Sequence, residues 1–595
     1  MLAPFAHAIS RVKEWLANEG AAFVQPAAKF SAREGLAWDV DLGPESLPVQ
    51  AFRLVLPPTF PADPCEIRVD PKHCLQLPHI EGNGKACLNL APSPDHYAEP
   101  VAAVKQAIEG FGRLIRPALE DDSVQDEFHQ ERLSYWTRFC ERRAGMRDAK
   151  PAPQTTYVAL GEVKTWESGQ IAAFIRAGSK HRRFNLQVIT GGDRDPHTLA
   201  TRHRWDAGTM VRGHSLIVRL SEETRWTPAT WPKDFEELEA LTFQATSGET
   251  SLSTWLATTG WLAPTETKPK GKWAKDAHEE PPHGPQPLAV VLMHGTELYG
   301  FQILPQLVSH LTLPTIVPIQ LSRVDASWCL TRDQEHSRFI ARQSKRVLVL
   351  GCGSLGSPLV DVLARAGVGH IDIVDQEGFD AANTSRHVLG LSDLKRGKAT
   401  AMAARLTEAI PTVSVNGYVA TASGWLTKAQ GEASYDLIVD CTAESSVRVL
   451  LAQLRTESLG TCPVVHAWVE PFCGAAHVVC TQADEPWPLD DPAESMVNVA
   501  EYRAQTRVDL PACSYGFHPY GAADILQAAG FAAERVLWTL DHPDRPSVVW
   551  SWVRSQAFFD SVGTGHATRS LVPKNGTVHD AVMLTRSLGS VLVER

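Results

Sequence analysis

The feature that most constrains the fold is a strand, a glycine-rich turn, a helix and a second strand within residues 345–387. Residues 347–350 are a short apolar run, which predicts a strand buried on both faces. The amphipathic run over 357–366 predicts a helix, and residues 370–374 predict another strand. This order of elements predicts a βαβ unit of a parallel sheet.

The turn in this unit carries the spacing G-x-G-x-x-G at Gly351, Gly353 and Gly356. Glycines at these places allow a tight turn, close approach of backbone N–H groups to a phosphate, and packing of the helix on the strand. The N-terminus of the helix also favours an anion. Asp375 ends the second strand, where an acid contacts a ribose hydroxyl. The unit is therefore predicted to bind a nucleotide.

Polar side chains suited to a triphosphate follow the acid. Asn383 is an amide donor, Arg386 is a guanidinium that can fork onto phosphate oxygens, and Lys398 is a compact positive charge. The order D-x(7)-N-x-x-R-x(11)-K resembles the ATP site of the ThiF/MoeB/ubiquitin-activating adenylyltransferase superfamily. The resemblance implies that Asp375 holds the ribose of ATP and that the other three residues face its phosphates. One departure is Lys395, which stands where relatives carry a glycine.

Composition excludes several classes of protein. A chain of 595 residues is too long for one core, and a net charge of -11 argues against a nucleic-acid partner. The 11 cysteines form no C-x-x-C pair, so neither a disulfide framework nor a zinc site of four cysteines is expected. No apolar run approaches the ~20 residues of a membrane span, and the first 19 residues lack the pattern of a signal peptide. We therefore expect a cytoplasmic protein with reduced thiols and no membrane association.

The first 148 residues predict an α+β domain. Helical patterns and apolar runs typical of strands alternate here, with helices predicted at 3–16, 102–115 and 120–147 and strands at 36–42, 49–56 and 65–69. The fold resembles that of ubiquitin-conjugating enzymes. Phe60-Pro61 matches the family's Tyr-Pro turn, and Pro78-His79-Ile80 matches the end of its His-Pro-Asn-Ile motif. Gly84, Ala86, Cys87 and Leu88 match its G-x-I-C-L.

The resemblance makes Cys87 the candidate thioester cysteine. A thiolate is both a good nucleophile and a good leaving group, so it can receive an acyl group and pass it to an amine. His79 stands where the family has an Asn linked to stabilising the oxyanion, and Leu77 replaces the family's first His. His79 is either an oxyanion donor or a structural turn residue, and Cys87 is either a nucleophile or an inert thiol.

Residues 157–330 carry no constellation of residues that indicates chemistry. Alternating runs predict strands at 184–189 and 215–220, an acidic run predicts a helix at 234–241, and residues 288–307 predict a buried strand followed by a helix. We interpret this region as a linker domain that spaces the flanking domains, with a partner-binding module as the alternative.

The C-terminal region continues the parallel sheet with a strand predicted at 435–439. Relatives carry D-x-x-D after this strand, and the second Asp approaches Mg²⁺. Ala443 occupies that place here, so the neighbouring Glu444 is the candidate protein ligand, with ATP and water as the other ligands. Relatives also carry an arginine that reaches ATP across a dimer, and Arg332, Arg338 and Arg342 are the candidates.

A second thioester cysteine is predicted at Cys513. It follows two predicted strands, 463–469 and 474–480, and lies on a Pro-flanked loop before a long Ala-rich helix. This arrangement resembles the catalytic-cysteine loop of the activating enzymes. Cys473 and Cys480 are the alternatives, although their positions at predicted strands favour a place in the core.

Together the motifs predict a multi-domain α/β protein with three parts. These are a ubiquitin-conjugating-like domain (1–148), a linker domain (157–330) and a Rossmann-like ThiF-type adenylation domain (331–595). The pairing resembles fusion enzymes of bacterial CBASS anti-phage operons. It implies ATP and Mg²⁺, a homodimer, a donor protein with a C-terminal glycine (a cGAS-like nucleotidyltransferase) and an acceptor lysine.

Three other functions stay open on the sequence. The chain could be a sulfur-carrier-protein adenylyltransferase, which Cys87 argues against. The first domain could be a non-catalytic docking module, since Leu77 and His79 depart from the conjugating motif. An NAD-dependent oxidoreductase is disfavoured, because it offers no purpose for Asn383, Arg386 and Lys398.

Overall fold

The fold is mixed α/β and consists of two compact units. The structure is a computed structural model, which describes residues 3–20, 23–27, 35–41, 49, 51–88, 90, 93–116, 121–144, 155–176, 184–260, 286–308, 311–331, 336–411, 413–428, 434–455, 459, 461–509, 516–563 and 565–593. One unit comprises Met1–Ala200 and Trp205–Arg323, and the other comprises Thr201–Arg204 and Val324–Arg595. The domain boundaries proposed from the sequence stay predictions.

The first 148 residues contain helices and strands near the predicted positions, and in addition an unpredicted strand at Val24–Pro26 and an unpredicted helix at Asp95–Ala98. The elements of this part of the first unit are α1 (Ala3–Asn18), β1 (Val24–Pro26), β2 (Leu36–Asp41), β3 (Ala51–Leu56), β4 (Glu66–Arg68), α2 (Asp95–Ala98), α3 (Pro100–Ile115), α4 (Asp121–Gln130) and α5 (Arg132–Ala144). The strands form an antiparallel sheet in the order β1-β2-β3-β4. Buried apolar side chains of α1 and α3, such as Val12 and Val104, share one core with Leu54 and Ile67 of the sheet. Burial of this apolar stripe holds the helices on the sheet.

One correction concerns the charged helix predicted over 120–147. It is two helices, α4 and α5, separated by a turn at Glu131. The guanidinium of Arg132 donates a 2.8 Å hydrogen bond to the carbonyl oxygen of His129, which satisfies an acceptor at the end of α4.

The rest of the first unit is built on an eight-stranded sheet. Its elements are β5 (Thr155–Ala159), β6 (Trp166–Ile175), β7 (Phe184–Gly191), α6 (Pro196–Arg202), β8 (Thr209–Arg219), α7 (Phe235–Ala245), α8 (Leu252–Thr258), β9 (Leu288–His294), β10 (Glu297–Val308), β11 (Leu311–Ile319) and β12 (Ser322–Arg323). The strand order is β11-β10-β9-β8-β6-β7-β5-β12. Helices α4 and α5 pack against this sheet, since Phe128 and Trp136 lie in the same core as Leu216, Val290 and Phe301.

The helix predicted in the second half of residues 288–307 is wrong, because this segment is strand β10. Gly295 has φ 58° and permits the tight turn after β9. Beyond the turn Tyr299, Phe301 and Ile303 belong to one core and Leu298 belongs to another, because successive side chains of a strand point to opposite faces of the sheet. The pairing of β10 with both β9 and β11 satisfies its backbone groups.

The second unit contains the predicted βαβ unit and a larger mixed sheet. Its elements are α9 (Ala326–Cys329), α10 (His336–Gln343), β13 (Arg346–Leu350), α11 (Gly356–Arg365), β14 (His370–Val374), α12 (Lys398–Ala409), β15 (Ser414–Tyr418), α13 (Ala422–Lys428), β16 (Leu437–Asp440), α14 (Ser445–Leu454), β17 (Val464–Val469), β18 (Ala475–Thr481), β19 (Ala500–Tyr502), β20 (Val508–Asp509), β21 (Gly516–Phe517), α15 (Ala522–Asp541), β22 (Val548–Arg554), α16 (Gln556–Ser561), β23 (His566–Thr568), β24 (Ala581–Ser587) and α17 (Leu588–Val593).

The large sheet of the second unit has the order β15-β14-β13-β16-β17-β18-β22-β24. The first five strands are parallel, and the last three are antiparallel to their neighbours. The chain moves outward from β13 through β14 to β15 and then returns to the other side of β13 with β16. The carboxyl ends of β13 and β16 therefore form the crevice in which open α/β sheets bind their ligands.

No helix among the described residues combines the length and apolar character needed to cross a membrane.

Candidate functional site

The glycine-rich turn lies at the crevice between β13 and β16. Gly351 has φ 89°, and a Cβ added there would lie 3.0 Å from the backbone carbonyl carbon and oxygen of Cys441. A Cβ on Gly356 would lie 2.1 Å from the carbonyl oxygen of Gly351. A Cβ on Gly353 would meet no described atom within 4 Å. Two glycines are thus required by packing, whereas the third borders open space, as a phosphate-binding turn requires.

The carboxylate of Asp375 holds this turn. One of its oxygens accepts a 2.7 Å hydrogen bond from the backbone N–H of Cys352, and the other accepts a 2.8 Å bond from the N–H of Glu377. A carboxylate can accept about four hydrogen bonds, so these two leave capacity for a hydroxyl donor. Cys352 itself is buried, and burial raises the pKa of its thiol, so this cysteine is not a nucleophile.

His387 supports the same turn, although the sequence analysis did not select it. Its Nδ1 accepts a 3.0 Å hydrogen bond from the N–H of Leu389, so Nε2 carries the proton and donates to the carbonyl oxygen of Cys352 at 2.7 Å. Burial and the charge of Lys398 lower the pKa of His387, which keeps the imidazole neutral. Its position next to Arg386 in the motif was the only signal in the sequence.

Lys398 begins α12 and is only 5% exposed. Its ammonium pairs with the carboxylate of Glu377, and its backbone N–H donates to the carbonyl oxygen of Glu377 at 2.9 Å. The backbone N–H of Glu377 donates to the carboxylate of Asp375, which holds the turn, so this ion pair lies close to the turn. A buried lysine needs an anionic partner, and this one is held beside a turn built for an anion.

Asn383 and Arg386 lie in the segment between Asp375 and Lys398. The side-chain oxygen of Asn383 accepts a 3.0 Å hydrogen bond from the N–H of Asp380, which closes a short 3₁₀ turn. The guanidinium of Arg386 donates to the carbonyl oxygen of His518 at 3.2 Å and lies against the rings of Phe517 and Tyr520. Contact of these two side chains with phosphates stays a prediction.

After β16, the first acid of the D-x-x-D motif and the residues at its second acidic position differ in burial. Asp440 is buried, accepts hydrogen bonds from the N–H and hydroxyl of Thr442 at 3.0 and 2.6 Å, and lies 3.0 Å from Nδ1 of His466. Ala443 has φ 59° and is exposed, and so is Glu444, which precedes α14. Within the described residues no three His, Cys, Asp or Glu side chains are grouped as for a metal ion. A magnesium site here needs phosphate and water ligands beside Glu444.

Of the three candidate arginines for contact across a dimer, Arg342 is engaged within its own subunit. It is buried and binds Asp541 through two hydrogen bonds of 2.9 and 2.6 Å. Arg338 is exposed on α10, and Arg332 lies outside the described residues. Because removal of Arg342 from this pair leaves Asp541 uncompensated, Arg342 is less suited to that contact than the exposed Arg338.

Cys513 lies outside the described residues. The strands on either side of it, β20 and β21, pair as an antiparallel hairpin with Val508 opposite Phe517. The two alternative cysteines are buried, and burial raises the pKa of Cys473 to about 12 and that of Cys480 to about 11. The expectation that both are core residues is confirmed.

In the first unit, Cys87 is exposed and lies beside His79. The N–H of Cys87 donates a 2.8 Å hydrogen bond to the carbonyl oxygen of His79, and Ile80 bridges Ala86. Gly84 makes the turn that returns the chain, with φ 84° and no room for a Cβ, which would lie 2.1 Å from the carbonyl oxygen of Val69. The motif residues therefore form one small antiparallel ladder that presents the thiol to solvent.

The imidazole of His79 lies near carboxylates from the end of α4. Its Nε2 is 3.7 Å from a carboxylate oxygen of Glu127, and its Nδ1 is 3.4 Å from one of Glu131. The backbone of His79 has φ 57°, and its N–H donates to the hydroxyl of Tyr135 at 2.6 Å. Sequence reasoning missed these three partners, because they lie about 50 residues further along the chain and carry no motif. The role of His79 stays a prediction.

Comparison with known proteins bears on the second unit. Residues 337–520 match the model of the ThiF family. The chain is 35% identical over 125 residues to the adenylyltransferase and sulfurtransferase UBA4 of Yarrowia lipolytica, which covers 21% of this chain and 31% of that protein. It is 28% identical over 236 residues to the ATP-dependent ubiquitin transferase-like protein Cap2 of Vibrio cholerae. That alignment covers 37% of this chain and 40% of the Cap2 protein.

Among solved structures, a crystal structure of Escherichia coli MccB with ATP aligns with this chain at a TM-score of 0.28 and 15% sequence identity. The alignment covers 40% of this chain and 66% of the MccB chain. The chain thus spans less than half the length of the two curated relatives. The match to the family model includes the whole glycine-rich turn and the residues from Asp375 to Lys398.

Proposed function

We propose that the chain is an ATP-dependent protein adenylyltransferase that also conjugates the activated protein to an amine. The observation that carries the proposal is the convergence of the glycine-rich turn, Asp375 and the buried Lys398 at the crevice between β13 and β16. ThiF-family similarity over 337–520 and the relatives that are named adenylyltransferase or ubiquitin transferase-like support it.

The residues around the turn fit ATP as a substrate. The open space at Gly353 and the N-terminus of α11 suit a phosphate group, and the ammonium of Lys398 supplies positive charge in a buried setting. Asp375 has acceptor capacity for a ribose hydroxyl. Mg²⁺, when bound, neutralises phosphate charge, and Glu444 is the proposed protein ligand. Asn383 and Arg386 complete the proposed contacts with phosphates.

In the proposed first step a carboxylate oxygen of the partner's C-terminus forms a bond to the α-phosphorus of ATP, and pyrophosphate leaves. This step requires an aligned carboxylate and neutralised phosphate charge more than it requires a general base. The thiolate of Cys513 then forms a thioester with the acyl carbon as AMP leaves. The thiolate of Cys87 displaces Cys513, and an amine such as a lysine displaces Cys87 to give an amide.

The proposed donor is a protein with a C-terminal glycine, of the cGAS-like nucleotidyltransferase class found in anti-phage operons, and the proposed assembly is a homodimer. Similarity to Cap2 supports this choice. The exposure of Cys87, next to His79 in a conjugating-type motif, supports the second half of the reaction. The similarity to UBA4 favours one other candidate, a sulfur-carrier-protein adenylyltransferase in which the first domain only docks a partner.

The test combines ATP, Mg²⁺ and a donor protein that ends in glycine, followed by non-reducing gels. We expect the wild type to form a thiol-sensitive adduct, Cys513→Ala to form none, and Cys87→Ala to retain an adduct but form no amide product. If Cys87→Ala gives the same products as the wild type, the first domain is a docking module and the sulfur-carrier alternative is favoured.

A further inference from the structure

Tyr520 lies between β21 and α15 and contacts two parts of the proposed ATP site. Its hydroxyl is 2.6 Å from the hydroxyl of Ser354, which lies within the glycine-rich turn. Its ring centroid is 4.9 Å from the central carbon of the Arg386 guanidinium. Ser354 and Arg386 belong to separate segments of the chain, and this tyrosine joins them.

The guanidinium of Arg386 is held from several directions by one short segment. The ring of Phe517 lies 5.4 Å from its central carbon, and the carbonyl oxygen of His518 accepts a hydrogen bond from Nη1 at 3.2 Å. A guanidinium is planar and has five N–H donors in that plane. Aromatic rings interact with its faces, so ring contacts are compatible with in-plane hydrogen bonds to phosphate oxygens.

We infer that Tyr520 is a positioning residue for ATP binding. Its ring fixes the plane of the Arg386 guanidinium, and its hydroxyl fixes the glycine-rich turn at Ser354, so that both parts of the site meet the phosphates in one geometry. The inference rests on the proposed function, because contact between Arg386 and phosphate is itself proposed. Such preorganisation strengthens binding because the site does not need to be ordered when the ligand arrives.

The ring and the hydroxyl of Tyr520 can be tested separately. Tyr520→Phe keeps the ring beside Arg386 and removes the bond to Ser354, and Ser354→Ala removes the same bond from the other side. Tyr520→Leu removes both contacts. Tyr502→Phe is the matched control, since its hydroxyl donates to the carbonyl oxygen of Pro471 at 3.3 Å and has no contact with the turn in the described structure.

The measurement is the Kd of the full chain for ATP with Mg²⁺, by titration calorimetry. We expect Tyr520→Phe and Ser354→Ala each to weaken binding about 3-fold, and Tyr520→Leu to weaken it about 10-fold or more. The double variant Tyr520→Phe/Ser354→Ala should bind like either single variant, because both remove one shared interaction. In pyrophosphate exchange, KM for ATP should rise with kcat nearly unchanged, as expected for lost binding.

If Tyr520 has a purely structural role, its substitution lowers the melting temperature but does not give this non-additive loss of ATP affinity. If the wild type binds ATP and the Tyr520 variants bind it equally well, or if the two hydroxyl variants add in the double variant, the inference is overturned and the proposed function stands. If the wild type binds no ATP while Tyr502→Phe and the wild type are both folded, the proposed function fails and the inference fails with it.

Discussion

The glycine-rich turn of the second unit and the Cys87 ladder of the first are both built on tight turns, yet they expose different groups. At the turn the charged residue is buried, since Lys398 is 5% exposed and paired with Glu377. At the ladder the thiol of Cys87 is exposed, and the neighbouring His79 faces two carboxylates. A buried cation suits recognition of a small anion in a crevice, whereas an exposed thiol suits exchange with another protein.

The two sites also differ in which parts of the chain supply their supporting contacts. Cys352 bonds to Asp375 at a separation of 23 residues and to His387 at 35 residues. His79 bonds to Tyr135 at a separation of 56 residues. Asp375 and His387 thus support the turn from the chain that closely follows it, and Tyr520 adds a contact with Ser354 from 166 residues away. The Cys87 ladder depends on helices that follow its own sheet.

The largest expected effect is complete loss of amide product in Cys87→Ala, with pyrophosphate exchange unchanged. The thiol is exposed, so its removal should leave the melting temperature unchanged. Cys329→Ala is the control, because Cys329 is the other exposed cysteine among the described residues. Amide product from Cys87→Ala at the wild-type rate contradicts the role proposed for the ladder.

At the other site we expect Lys398→Ala to lower pyrophosphate exchange by about 100-fold or more, since a charge-assisted contact in a water-poor site contributes several kcal/mol. The control is Lys395→Ala, three residues before Lys398. It removes an exposed lysine that pairs with Asp380, and it should behave as the wild type. Equal activity of the two variants means that burial of Lys398 serves the fold and not the nucleotide.

Two glycines of the turn offer a sharper separation of fold from function. Gly353→Ala should leave the melting temperature unchanged but weaken ATP binding, because the added methyl occupies open space that the ligand needs. Gly351→Ala should lower the melting temperature, with a cost of about 1–3 kcal/mol from the left-handed backbone and the nearby Cys441. Thermal melting beside ATP titration measures both.

The same comparison extends to the ladder of the first unit. Gly84→Ala should destabilise the fold in the way of Gly351→Ala, whereas Gly82→Ala, with no atom within 4 Å of its added Cβ, should be nearly neutral. Thermal melting of both variants measures this difference. If Gly84→Ala melts at the same temperature as Gly82→Ala, the backbone of the ladder rearranges without cost and the prediction is wrong.

The smallest expected effect concerns pH. The pKa of His387 is lowered in the fold from the ordinary value of 6.5, so the unfolded chain binds more protons below that pH. The contribution of neutral His387 to the free energy of unfolding is fully present above pH 6.5, and it is lost as the pH falls through the lowered pKa. His387→Gln should therefore show a smaller decrease of melting temperature between pH 7.5 and 5.5 than the wild type, and the exposed His370→Gln should match the wild type.

The sequence by itself determined the local elements of the proposed nucleotide site. Strand β14 has the predicted bounds, β13 and α11 begin within one residue of theirs, and the glycines and Asp375 meet at the turn. These features were predictable because short apolar runs, the amphipathic pattern of a helix and the glycine spacing all act over a few residues. The same local reasoning failed for β10, where an apolar run was compatible with either a strand or a helix.

Only the tertiary structure decided which distant groups meet. The carboxylates beside His79, the bond of His387 to the turn, the pairing of Arg342 with Asp541 and the contacts of Tyr520 all join segments that share no motif. Each depends on how helices pack on a sheet, which is set by burial of apolar surface over the whole unit and not by any one stretch of sequence. Motifs indicated the groups proposed to react, and packing determined which residues contact them.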